Sequence, residues 1–251
     1  MIDVMTLIRK EVYRFIRIWK QTLLPPVITI VLYLMIFGKF IWDQISIIEG
    51  VHYIDFIFPG LLMMSVIMAS YSNTSSSFFG SKFQNNIQEL FVSPISYTKI
   101  LIWFCMWWAL RWFIVWGLVF LVWFFMTDFH IHSYFYMVVF LILTSCLFSL
   151  AWLFNGIFAK SFDDIMIIPS FVITPLVYLW GVFYSVSMLS PFWQALSQWN
   201  PILYMVNGLR YAFIWISDVN IFLSIGIIVV FIIALVLWNL YLLKKWYGIK
   251  S

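Results

Sequence analysis

Apolar residues in this chain come in long unbroken runs separated by short polar stretches, and that pattern predicts a bundle of membrane-crossing helices. Six runs approach the roughly 20 residues a helix needs to cross a hydrocarbon layer: about Leu23 to Gly38, Phe56 to Tyr71, Ile100 to Met126, Ser133 to Ala159, Ile165 to Leu189 and Ile221 to Leu243. The first two are short if straight. One interruption stands out, Phe78 to Lys99, with the sequence FFGSKFQNNIQELFVSPISYTK. A chain this apolar exposes little to water, so a long polar stretch is where it is expected to meet a partner.

Part of that interruption has a helical period. Phe83, Ile87, Leu90 and Phe91 follow the i, i+4, i+7, i+8 spacing of one helix face, with Lys82, Gln84, Asn85, Asn86, Gln88 and Glu89 around the rest. Pro94 then stops the helix. The pattern predicts a short amphipathic helix over 81–92. It is compatible with a helix lying on the membrane surface and with one that docks into a groove of a soluble partner.

A second amphipathic helix is predicted over 4–21. Val4, Met5, Ile8, Val12, Phe15, Ile16 and Trp19 share one arc, and Arg9, Lys10, Arg14, Arg17 and Lys20 lie opposite. Such a helix rests in the interface, apolar face in lipid and basic face toward anionic headgroups. It serves as a topology anchor or also helps to hold a cytoplasmic partner. Pro25 and Pro26 are expected to open the first span, where missing backbone donors cost least. Pro59 and Gly60 sit early in the second. Pro169 and Pro175 fall inside the fifth and invite bends, either structural or hinge-like. The aromatic stretch 191–212, broken at Pro191 and Pro201, predicts two short helices dipping into the outer interface as a re-entrant region.

Charge sets the orientation. An even number of spans puts both termini on one side, together with Arg9, Lys10, Arg14, Arg17, Lys20, Lys82, Lys99, Lys160, Lys244, Lys245 and Lys250. The other side has Lys39 and Arg210. This bias places both termini and the 78–99 segment in the cytoplasm. Mean hydropathy is +1.02 and only 10% of residues are charged, so one all-α membrane domain fills residues 1–251. The net charge of +4 reflects membrane orientation; the basic residues form no single patch for nucleic acid. Cys105 and Cys146 both fall in apolar runs and make neither a disulfide framework nor a CxxC metal site. The first apolar run reads as a retained span and not as a signal peptide.

The chemistry-bearing residues point away from an enzyme. A P-loop needs GxxxxGK[ST], and Gly80, Ser81 and Lys82 do not fit it, so any ATP hydrolysis belongs to another polypeptide. Asp163 and Asp164 resemble half of a diphosphate-binding carboxylate set, but Ile165 to Ile168 supply no further aspartate; a solvated cytoplasmic turn is the better reading. Asp128, His130 and His132 alternate in one loop, too sparse for a metal site. Ser75, Ser76 and Ser77 have no histidine on their side of the membrane to activate them. No catalytic or metal residue is assigned and no cofactor is expected in this chain.

Arg111 differs. It lies 12 residues past Lys99, roughly 18 Å along a helix and near mid-membrane. A charge there marks a bundle interior or an aqueous path. Trp107 and Trp108 precede it by three or four positions and are placed to stack on the guanidinium. Arg111 is expected to line a path or gate, against the alternative of a structural ion pair. Trp103, Trp107, Trp112, Trp116 and Trp123 give the same run an aromatic surface, suited to an amphiphile or simply to lipid and packing.

FIFPGLLMM in the second run, SKFQNNIQELFVSPIS after it, NGIFAKSFDDIMIIPSFVITPLVYLWGVFYS and PFWQALSQWNPILYMVNGLRY together resemble the ABC-2-type permeases, specifically the YadH-like branch of bacterial inner-membrane exporter subunits. The resemblance runs nearly end to end and rests on the order and spacing of these motifs. It implies a half-transporter that dimerises and binds two copies of a separate ATPase, which holds the ATP and Mg. The 81–92 helix would be the coupling helix, with Lys82, Phe83, Ile87, Glu89 and Pro94 on it or at its end. The 191–212 stretch would be the outer re-entrant helices. The expected cargo is an amphiphile: a lipid, a lipid-linked glycan or a hydrophobic drug. Two alternatives from other classes are an intramembrane transferase and a passive channel. The tryptophans of the third run, where relatives often carry small residues, leave the width of a channel open.

Overall fold

A computed structural model describes residues 19–36, 47–48, 50–83, 97, 101, 117, 120, 131–179 and 181–245. Among these, the architecture is a helix bundle with one two-residue hairpin. The helices are α1 (Trp19–Met35), α2 (Tyr53–Phe83), α3 (Tyr134–Phe158), α4 (Phe162–Ile168), α5 (Thr174–Leu179), α6 (Pro191–Ser197), α7 (Pro201–Ile214) and α8 (Ile221–Lys244). The hairpin pairs β1 (Ile47–Ile48) with β2 (Val51–His52) through a turn at Gly50.

The central rod is α2. Every residue from Phe56 to Ile67 is buried, as expected of a helix that is apolar all round and surrounded by other helices. Its apolar part is Tyr53–Met68, but the helix does not stop there. It runs on through Ser72, Asn73, Thr74 and four further serines to Phe83, a rod of about 46 Å. A separate helix beginning at 81 was expected; residues 81–83 instead belong to α2, because no proline lies between Gly60 and Phe83 to break it. Gly80 is accommodated within the helix.

Against α2 pack α1, α3 and α7. Two glycines set how closely. A β-carbon on Gly208 of α7 would lie 2.1 Å from the ring of Phe140 in α3, and one on Gly60 would lie 2.7 Å from the Val182 carbonyl oxygen. Twelve residues of α7 are buried, so this helix is a wedge inside the bundle. By contrast α8 buries one stripe, Ile221, Ser224, Ile228, Asn239 and Leu242, while Phe222, Val230 and Leu237 are 75%, 65% and 63% exposed. Its outward surface is that of a lipid-facing helix.

Two expectations change. Pro25 and Pro26 do not open the first helix; both lie inside α1, which already includes residues 19–21 of the expected amphipathic segment. The fifth run is not one helix to Leu189. It begins at Ser161, loosens into a π-helical turn at Pro169–Ile173, where Thr174 N–H donates to Pro169 O, and ends at Leu179. Gly181 then takes a φ of 86°, a left-handed turn suited to glycine, and Val186–Met188 forms a single 3-10 turn. The expected prolines thus mark a change of helical winding.

The contacts sort the bundle into two ends. At one, Tyr53 Oη donates to Phe183 O at 3.3 Å, and the amides of His132 and Ser133 donate to Phe213 O and Ala212 O at the end of α7. At the other are Phe83, the turn from α3 into α4 and the end of α8, where Asn239 Nδ2 donates to Leu150 O at 3.1 Å.

Candidate functional site

Lys82 organises the second end. Its Nζ donates to Ile157 O at 3.0 Å and Ala159 O at 2.8 Å. The last carbonyls of a helix have no intrahelical partner and carry the negative end of its dipole, so an ammonium is well placed there. The link joins α2 to the end of α3 across 75 or more residues of chain. Burial in this turn, and then the positive charge of Lys160, hold the Lys82 ammonium below the usual lysine pKa.

The turn itself is built from both sides. Ser161 Oγ accepts from Asp164 N at 3.1 Å, and Asp164 Oδ2 accepts from the amides of Ser161 at 3.0 Å and Lys160 at 2.9 Å. This reciprocal capping starts α4. The two amides, followed by the Ser161 hydroxyl, hold the Asp164 carboxyl below the usual carboxylate pKa. Asn155 Nδ2 donates to Ile165 O at 3.2 Å and ties α4 back to α3. Asp163 is exposed. The aspartate pair is therefore a helix start at a solvated turn, as its sequence suggests.

Phe83, next to Lys82, is 69% exposed, with its ring 6.3 Å from that of Phe79. Of the residues expected to couple to a partner, Lys82 and Phe83 are brought to one place; Ile87, Glu89 and Pro94 lie outside the described residues. So do Arg111, Trp107 and Trp108, and residues 4–18 of the amphipathic segment.

The far end holds a polar cluster that sequence reasoning had not assembled. Arg210, fully buried on α7, donates to Gly181 O, lies 3.9 Å over the Phe56 ring and stands 3.8 Å from Asp218 Oδ2. Asp218 Oδ1 accepts from Ser185 Oγ, its Oδ2 accepts from Val186 N at 3.1 Å, and its own amide donates to Asn207 Oδ1 at 2.9 Å. The signal was present: Asn207 and Arg210 are three apart on an otherwise apolar helix, and Asp218 follows eight residues later. The two helices expected within 191–212 are found as α6 and α7, with Asn200 capping the second. Next to them Trp215 stacks on Tyr211, at 4.3 Å between ring centroids, and meets the tilted ring of His132 at 4.1 Å.

The sequence compared with known families matches the ABC-2 type transporter over residues 3–214. The chain belongs to the ABC-2-type transporter family. It is 49% identical over 244 residues to the inner membrane transport permease YadH of Escherichia coli K12, covering 96% of this chain and 94% of that protein. The protein of the same name from Shigella flexneri matches to the same degree. As an ABC-2-type permease the chain is the membrane subunit of an ABC transporter, a multi-pass inner-membrane protein, and ATP hydrolysis belongs to a separate partner.

Proposed function

We propose that this permease is half of a homodimeric exporter whose separate ATPase subunits engage the cytoplasmic segment that begins at Phe83. In this reading six spans cross the inner membrane from cytoplasmic termini, one transmembrane domain fills 1–251, and 4–21 lies in the interface against membrane lipid. Residues 81–92 act as the coupling helix; Phe83, Ile87 and Glu89 make the docking face and Pro94 ends it. ATP and Mg are bound in the partner. Helices α6 and α7 form the re-entrant region on the outer side.

The observation that carries this reading is the continuity of α2. One helix, buried from Phe56 to Ile67, links the outer end, where Tyr53 meets Phe183, to an exposed Phe83 at the end that the Lys/Arg bias assigns to the cytoplasm. A push at Phe83 is thereby delivered along the axis of the bundle. The cargo is an amphiphile, a lipid, lipid-linked glycan or hydrophobic drug, in keeping with an aromatic third run around Arg111, which lines the path or gate with Trp107 and Trp108. The test is co-purification. Replacing Phe83, Ile87 and Glu89 together with alanine should release the ATPase while the permease stays folded; retained binding would remove this helix from the docking role.

A further inference from the structure

The geometry points to Lys82 as a positioning residue that works inside the permease: it clamps the end of α2 to the α3–α4 turn, so that movement of the coupling segment is passed to the broken helix Phe162–Leu179. This inference rests on the proposed coupling role of the 81–92 segment, but assigns Lys82 a different task from its neighbours.

Three observations support it. The Lys82 ammonium faces inward, onto Ile157 O and Ala159 O, while Phe83 faces outward. A charged donor on two orphan helix carbonyls is stronger than a neutral pair. The turn it holds is short and stiff: only Ala159 to Ser161 separate α3 from α4, and the Ser161–Asp164 capping box with the Asn155–Ile165 bond leaves it little freedom. Beyond α4 the chain does have a place to yield. At Pro169–Ile173 the winding changes to π, Pro175 follows, and Phe171 and Val172 are exposed. Rigid rod, clamp, stiff turn and loosened helix lie in series, and Lys82 is the joint between the first and third.

The permease with its ATPase, in lipid nanodiscs, provides the test. Cys105 and Cys146 are replaced by alanine and Phe171→Cys, 77% exposed in the parent, carries a nitroxide attached before reconstitution, whose mobility is read in lipid as well as in water. ATP with vanadate should change that mobility. With Lys82→Met the complex should keep its ATPase and hydrolyse ATP, yet the nucleotide-dependent change in mobility should fall by ~10-fold, the loss expected of one or two charge-assisted hydrogen bonds. Lys82→Arg, whose guanidinium also reaches the carbonyls, should restore it; a merely bulky or misfolded site would not be rescued by charge. An unaltered response in Lys82→Met, or no response in the parent, overturns the clamp. Release of the ATPase by Lys82→Met also overturns it, by making Lys82 a docking residue. Failure of the parent permease to hold any ATPase would instead strike the coupling reading on which it stands.

Discussion

The peptide backbone at Val182 lies directly against Gly60: a β-carbon on Gly60 would stand 2.7 Å from the Val182 carbonyl oxygen and 2.9 Å from its Cα. The obstacle is backbone, so no rotamer change relieves it. Gly60→Ala should therefore push α2 away from the 181–183 turn and cost ~1–3 kcal/mol, as overpacking does. Gly80 is the matched control on the same helix, with nothing within 4 Å of its hypothetical Cβ. Gly80→Ala should be neutral or stabilise by ~0.5–1 kcal/mol through helix propensity. Thermal unfolding of both variants in detergent measures the contrast; equal Tm values would contradict the close approach.

The cluster at the far end predicts an order of damage. Arg210→Met removes a buried charge and leaves Asp218 still accepting from Ser185 Oγ and Val186 N. Asp218→Ala removes those bonds and strips a fully buried guanidinium of its nearby carboxylate. Removing one partner of a buried pair typically costs ~3–5 kcal/mol, so Asp218→Ala should approach that range and Arg210→Met should fall below it. Proteolysis of the 181–189 connection in each variant reports on the same lock. The reverse order would mean that Arg210 is held chiefly by Gly181 O and the Phe56 ring.

Where neighbours in sequence decide the structure, the chain was easy to read. The expected run Ser133 to Ala159 became α3 at Tyr134–Phe158, and Ile221 to Leu243 became α8 at Ile221–Lys244, because length, hydropathy and caps are local. Pro191 and Pro201 likewise opened α6 and α7 where the breaks suggested. The fifth run misled, since GVFYSVSML is apolar enough to continue a helix. Its end is set by Gly181 and by Asp218, whose carboxylate completes the Ser185–Val186 turn from 32 or 33 residues away. Lys82 was legible as a coupling candidate by resemblance, but its carbonyl partners lie 75 and 77 residues off, beyond any local pattern.

Asp164 gives a pH dependence whose sign follows from its bonds. Its folded-state pKa is depressed below the usual 3.8 by the Lys160 and Ser161 amides. A depressed carboxylate adds stability that is present above its unfolded pKa and is lost as pH falls through the folded value. The stability difference between the parent and Asp164→Asn should thus be constant above about pH 5 and close as pH falls through 3.8 and below. Unfolding of the two proteins across this range measures it; a difference that closes near neutral pH would assign the effect to another group.

Arg111 carries the sharpest functional prediction. On the span expected from the sequence, a cation 12 residues past Lys99 is costly to insert and is retained where it has an aqueous path or a buried partner. If it lines the path, Arg111→Leu should assemble, bind the ATPase and unfold at or above the parent temperature, because a charge has been replaced by an apolar group in an apolar setting. ATP-driven uptake of an amphiphilic dye into inside-out vesicles should nevertheless fall at least tenfold. If the charge were only structural, the order would invert: assembly and stability would suffer first, and whatever complex survived would transport normally. Wild-type transport by a fully assembled Arg111→Leu permease would exclude it from path and gate alike.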